Sequence, residues 1–240
     1  MKLIFTILFS FLFLNANPFE EKTLNLYNTT QTTATIKIGS LVIGQSGIII
    51  HKFKNNKSTI LTDAIVTNSN KLESTIEFLN TTVLKQTAIP TTNLNPSNDD
   101  KFVLNHLWTT SLLLTPNFES KQRIKKAYYN NNFIDTDIFA AWLKINNTPV
   151  PKKEDIQKFT SYNNIGSIFI QAGKKLYIID AVSFKVIQER DILIKSEKVQ
   201  VPFFSNVQDI EKSTFSWFSP AKIDNYNEYY TNLLGINNDR

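Results

Sequence analysis

The sequence predicts an α+β protein with a β-rich N-terminal part, central helices, a β-meander and two C-terminal helices. Residues 23–114 are rich in Thr, Ile and Val, in short runs separated by Gly, Asn and Pro, and this is typical of strands and turns. After Pro116 the apolar residues follow the spacing of helices. They alternate again from Ile165, and the helical spacing returns after Pro202.

The N-terminal part is predicted to contain many short strands. Its alternating or β-branched runs lie at residues 34–38, 41–43, 47–53, 60–67, 75–79, 102–104 and 111–114. Gly39, Gly44 and Gly47 fall in one short stretch, which suits a tight turn or a bulge. They are not followed by the Gly-Lys-Ser/Thr of a phosphate-binding loop. Many short strands with frequent turns predict a small barrel or a sandwich.

Local signals place the helices and the meander. Asn117 is positioned to cap a helix that runs to about Tyr129, and Asp135 is positioned to cap the next one. The remaining predicted helices lie at residues 153–162, 207–218 and 225–234, and the meander strands at residues 165–170, 175–180 and 184–192. Gly235 ends the last helix. We expect two packed subdomains, a β-rich one at residues 17–115 and an α+β one at residues 116–240.

The first sixteen residues have the three parts of a secretory signal peptide. Lys2 supplies a positive start, residues 3–14 carry no charge, and Ala16 is a small residue at the exit. The apolar run is shorter than the roughly 20 residues that span a bilayer as a helix. We therefore expect export and cleavage after Ala16, with no transmembrane helix in the mature chain.

The composition excludes several kinds of catalytic site. There is no cysteine, so the chain has no thiol nucleophile, no Fe–S cluster and no Cys-type zinc site. His51 and His106 are the only histidines, they are far apart, and no Gly-x-Ser-x-Gly motif accompanies them. We expect a binding protein rather than an enzyme, with no catalytic residues, cofactor or metal.

The charged residues are better explained by surface and capping roles than by a nucleic-acid site. The net charge is +5, and the short basic clusters at 121–126 and 152–153 are typical of solvated helix or loop faces. The acidic pairs within 99–100 and 135–137 lie on a loop and at a helix start, where capping accounts for them.

Aromatic residues concentrate near the C-terminus. The candidates for an exposed interaction patch are Trp217, Tyr226, Tyr229 and Tyr230. The three tyrosines have the i, i+3, i+4 spacing of one helix face. Two interpretations stay open: the stripe packs the last helix onto the sheet, or it contacts a protein or a glycan, since Tyr and Trp are favoured at interfaces.

Several segments carry a family signature. The clearest are residues 165–170 (IGSIFI), 183–190 (SFKVIQER), 201–207 (VPFFSNV) and 225–230 (NYNEYY), with weaker similarity at 43–49 (IGQSGII) and 139–143 (FAAWL). The Pro-Phe-Phe-Ser run is the most specific of them. Together they resemble the N-terminal domain of the bacterial plasminogen-binding PgbA surface proteins, in order and over nearly all of the chain after residue 16.

The resemblance implies a cell-surface or outer-membrane-associated protein that captures host plasminogen. Such capture uses the kringle modules of plasminogen, which hold a cation and a carboxylate at fixed spacing, as a C-terminal Lys provides. The Lys/Glu-rich extension of the family, which ends in Lys, is missing from this sequence. Arg240 also joins a cation to a carboxylate and is the candidate kringle ligand, although its forked head differs from an ammonium.

Two functions of different classes follow. The first is host-protein binding at the bacterial surface through the kringles of plasminogen. The alternative is a periplasmic structural or envelope-assembly domain with no host partner. A hydrolase that uses His51 or His106 ranks third.

Overall fold

The computed structural model describes residues 19–54, 57–79, 94–192, 199–207 and 223–236. In these ranges the chain forms two β-sheets and four α-helices, which confirms the predicted α+β class. The strands of the first sheet are β1 (Lys22–Asn25), β2 (Thr33–Ile36), β3 (Ser46–Lys52), β4 (Ser58–Ser69), β5 (Ser74–Leu79) and β6 (Lys101–Leu104).

The first sheet is antiparallel and curls until its edges meet. Its strand order is β1-β6-β3-β4-β5-β2. Tyr27, just after β1, exchanges backbone hydrogen bonds of 2.9 and 2.7 Å with Thr35 of β2 on the opposite edge. Side chains alternate across each strand, so in β2 Ala34 and Ile36 are buried inside the curl. The predicted small barrel or sandwich is thus a curled, barrel-like sheet.

The second sheet has mixed strand directions. Its strands are β7 (Thr110–Leu114), β8 (Asn132–Ile134), β9 (Ser167–Ala172), β10 (Lys175–Asp180) and β11 (Val186–Asp191). The order is β11-β10-β9-β7-β8, with β7 parallel to both of its neighbours and the meander β9-β10-β11 antiparallel. The meander predicted from the sequence is confirmed.

Strand β7 belongs to this second sheet, whereas its sequence position before Pro116 had grouped it with the β-rich N-terminal part. Its leucines are buried on both faces of the sheet, with Leu112 and Leu114 on one side and Leu113 on the other. A strand covered on both faces is a continuous apolar run without alternation, so its pattern does not reveal its partners. The chain changes sheets between Leu104 and Thr110. The subdomain division near Pro116 remains a prediction.

Helices cover both faces of the second sheet. They are α1 (Phe118–Ala127), α2 (Thr136–Ile145), α3 (Lys153–Tyr162) and α4 (Tyr226–Leu233). Ile124 of α1 packs in one apolar cluster with Phe169, while α2, α3 and α4 pack in the cluster on the opposite face. These four helices confirm the predicted ones; the helix predicted at 207–218 lies outside the described residues except for Val207. In the ranges that the structure describes, no helix is long and apolar enough to cross a membrane.

Candidate interaction surface

Helix α4 carries three of the four aromatic residues that the sequence singled out as an interaction patch. Tyr226 and Tyr230 are buried, with ring centroids 4.7 Å apart. The Tyr230 hydroxyl donates to the carbonyl of Pro202 at 2.9 Å. Burial raises the pKa of Tyr226 and of Tyr230 well above the usual value of a phenol. Both side chains are therefore neutral parts of the core.

Tyr229 lies at the edge of the same core. It is half-buried, and its hydroxyl donates to the carbonyl of Pro151 at 2.7 Å. Burial, with a smaller effect of the Asp155 charge, raises the pKa of Tyr229 to about 12. Packing onto the sheet thus accounts for the tyrosines of α4. Trp217 and Arg240 lie outside the described residues, so the four-residue patch and the kringle ligand remain predictions.

The Pro-Phe-Phe-Ser segment is a packing element that crosses the end of β7. The Gln200 N–H donates to the carbonyl of Pro116 at 2.8 Å, and the Phe204 N–H donates to that of Thr115 at 2.7 Å. Between them, the buried Phe203 ring stacks against Phe139 of α2 with centroids 5.3 Å apart. The most specific part of the sequence resemblance therefore has a structural role.

Asp137 in the first turn of α2 binds the end of that segment. Its Oδ1 accepts from the Ser205 hydroxyl at 2.9 Å and from the Asn206 N–H at 2.8 Å, and its Oδ2 accepts from the Asn206 amide at 3.0 Å. Partial burial raises the pKa of Asp137, but these hydrogen bonds and the charge of Lys121 outweigh it and lower the pKa below its ordinary value.

Asp135 and Lys121 confirm the capping interpretation of the acidic pair. Asp135 caps α2, and its Oδ1 accepts from the Asp137 N–H at 3.2 Å. The largely buried Lys121 ammonium donates to the same oxygen at 3.2 Å and to the Thr136 hydroxyl at 2.9 Å. These contacts fix the start of α2 against α1 and leave no converging carboxylate pair for acid–base chemistry here.

Asp180, at the end of β10, joins the two sheets. Its Oδ2 accepts from the N–H and the hydroxyl of Ser46 in β3, at 2.9 and 2.6 Å, and from the indole N–H of Trp108 at 3.1 Å. Its Oδ1 accepts from the N–H groups of Val182 and Ser183. Burial raises the pKa of Asp180, while its donors act in the opposite direction. From the alternation in the sequence, Asp180 can be identified only as the last residue of a strand.

Each histidine is paired with an acid. His51 Nδ1 lies 2.7 Å from Asp100 Oδ1, and the buried Asp100 also accepts from the N–H of Ser97 at 2.8 Å. His106 Nδ1 lies 3.1 Å from Glu21 Oε2. Over the described ranges, no group of three or more His, Asp and Glu side chains is close enough to hold a metal ion. Neither pairing could be predicted from the sequence, because the partners are 49 and 85 positions away.

The outward side of α1 combines charged side chains with exposed aromatic rings. We call it the α1 face, and it consists of Phe118, Glu119, Gln122, Arg123, Lys126 and Tyr129, all of them exposed. Arg123 Nη2 lies 2.6 Å from Glu119 Oε1. Phe118 is 56% exposed and its ring packs against Phe204 with centroids 5.6 Å apart, while Tyr129 is 80% exposed.

A second exposed surface lies on α2 and is apolar. Ile138 and Ile145 are 53% and 80% exposed, and the partly buried Trp142 lies between them at helical spacing. Trp142 packs edge-on against Phe159 of α3, with centroids 5.9 Å apart. This stripe has one neighbouring cation on its own helix, Lys144, and so differs in character from the α1 face.

Comparison with known proteins gives one family. The model of the family described as "Plasminogen-binding protein pgbA N-terminal" matches residues 21–234. Two curated relatives, both named plasminogen-binding protein PgbA, come from Helicobacter pylori strains J99 and 26695. Each is 26% identical over 196 residues, which covers 81% of this chain and 43% or 42% of the relative. The chain thus spans less than half the length of these relatives. No solved structure matches it.

Proposed function

The chain belongs to the plasminogen-binding protein PgbA N-terminal family, and from this membership we propose that it is an exported bacterial protein that binds host plasminogen through its kringles. The family match over residues 21–234 is the observation that carries the proposal. The relatives are named binding proteins. A binding role is therefore favoured over a catalytic one.

Binding to immobilised plasminogen tests the proposal directly. The purified protein is applied at rising concentration, with and without a free lysine analogue that occupies the kringle sites. We expect saturable binding that the analogue abolishes. A variant lacking Arg240 tests whether the C-terminal cation and carboxylate are the ligand. Absence of binding at micromolar concentrations would refute plasminogen capture by this chain.

Location separates this proposal from the alternative of a periplasmic structural or envelope-assembly domain. Residues 1–16 support export, and plasminogen capture further requires exposure at the cell surface. Protease added to intact cells is expected to degrade the protein, whereas a periplasmic control protein survives. Survival of this protein together with the control would favour the envelope-assembly role.

A further inference from the structure

Helix α1 is anchored on its inner side and exposes its other side to solvent. The Asn117 side chain caps it by accepting from the Ser120 N–H at 2.9 Å, and Ile124 is buried against the second sheet. Lys121 anchors the inner side to Asp135 and Thr136. The outward side chains therefore project from a fixed backbone, which reduces the entropy that binding would cost.

The α1 face carries one negative and two positive side chains on successive helical turns. Glu119 and Arg123 are one turn apart and in contact, and Lys126 follows within the next turn. Phe118 begins the helix and Tyr129 follows two residues after its end, and both rings are exposed. Arg and aromatic side chains are the types that contribute most to binding energy at protein interfaces.

The exposed faces of the other described helices do not carry the same combination of Arg, Lys, Glu and aromatic side chains. The outward stripe of α2 is apolar, and α4 has no Lys or Arg. Helix α3 carries an exposed Glu154 and Lys158 at i, i+4 spacing, but its Lys153 ammonium lies over the Phe184 ring at 5.4 Å. Lys158 is therefore a matched comparison: an exposed cation four residues from a Glu and four from the exposed Tyr162, on a helix without Arg.

We propose that the α1 face is an internal kringle ligand, in which Arg123 and Lys126 supply the cation and Glu119 supplies the carboxylate. This inference rests on the proposed function, because a kringle lysine site recognises a cation together with a carboxylate. The α1 face offers a carboxylate and two cations within the folded domain: Glu119 is in contact with Arg123, and Lys126 is exposed three residues further along the helix. Binding through it does not depend on Arg240.

Three variants test the α1 face against plasminogen. The double substitution Arg123→Ala with Lys126→Ala is expected to weaken analogue-sensitive binding by at least about tenfold. Lys158→Ala on α3 and deletion of Arg240 are expected to leave the affinity within about twofold. Thermal unfolding should be the same for the two substituted variants, because Arg123, Lys126 and Lys158 are exposed.

Glu119→Gln distinguishes recognition of the charge pair from attraction by net positive charge. It keeps the shape of the side chain and removes the negative charge. A kringle that requires the carboxylate is expected to bind this variant several-fold more weakly. Stronger binding would mean that positive charge alone is attracted, and it would overturn the assignment of a paired ligand.

The outcomes separate the two proposals. If the parent protein binds and the double variant binds equally well, the α1 face is not the ligand, while plasminogen capture stands. If deletion of Arg240 abolishes binding, the kringle ligand is Arg240 and not the α1 face. If the parent protein shows no analogue-sensitive binding, the proposed function fails, and the inference about α1 fails with it.

Discussion

Asp180 is a fully buried carboxylate whose two oxygens accept five hydrogen bonds, two of them from Ser46 and one from Trp108. These donors lie 134 and 72 positions away along the chain. A sequence pattern reports neighbours within a few residues, so it identified Asp180 only as the last residue of a strand. The same reason explains why the acid partners of His51 and His106 were not predicted.

Asp180→Asn is expected to lower the free energy of unfolding by about 2–4 kcal/mol. The amide places an NH2 group against donors that the carboxylate now accepts from, so buried donors lose their acceptor. Urea unfolding measures the loss. Asp99→Asn, on an exposed acid, is the control and is expected to change stability by less than about 0.5 kcal/mol. Equal midpoints for the two variants would contradict the structural role of Asp180.

Asp137→Asn is expected to destabilise the protein in a pH-dependent way. The folded-state pKa of Asp137 is lowered below 3.8, so its ionised form contributes stability above that value, and this contribution is lost as the pH falls through the folded pKa. The expected loss near neutral pH is on the order of 1 kcal/mol, because the group is only partly buried. Unfolding midpoints of parent and variant should converge as the pH falls through the folded-state pKa of Asp137. If the two unfolding midpoints still differ in acid, the loss of stability comes from packing and not from the charge of Asp137.

At the level of elements, the helix starts and the meander were predicted correctly because they depend on residues that are close together in the sequence. The caps Asn117 and Asp135 lie where their helices begin, since a side chain that accepts from N–H groups two or three residues on is a short-range feature. The β9-β10-β11 meander follows from alternation and its short turns. The parallel pairing of β7 with β8 and β9 was not predictable, because it depends on crossovers through helices.

The two buried tyrosines of α4 form a matched pair for testing how the helix is held. Tyr230→Phe removes a hydroxyl that donates to Pro202 and is expected to cost about 1 kcal/mol of unfolding free energy. The Tyr226 hydroxyl is buried without a partner among the described residues, so Tyr226→Phe is expected to be neutral or slightly stabilising. Urea titrations of both variants provide the comparison. A larger loss for Tyr226→Phe would show that its hydroxyl has a partner beyond those residues.

At the scale of the whole molecule, the two sheets are joined where the chain passes from β6 to β7. The Gln45 amide donates to Asn105 at 3.3 Å close to the Ser46–Asp180 contact, and the Gly166 N–H donates to the carbonyls of Leu107 and Thr110. Composition and periodicity predicted a β-rich and an α+β part. They did not reveal this junction, because it is made by polar and small residues that have no periodic pattern.

Gly166→Ala tests that junction. A Cβ on Gly166 would lie 2.5 Å from the Leu107 carbonyl carbon and 2.7 Å from the His106 oxygen, both backbone atoms, so the connection between the sheets must move. We expect a loss of more than about 3 kcal/mol in unfolding free energy. Gly173→Ala is the control: its Cβ meets nothing within 4 Å, and its φ of +60° alone is expected to cost about 1 kcal/mol. Equal stabilities of the two variants would show that the 105–110 connection moves easily and would contradict a structural role for the junction.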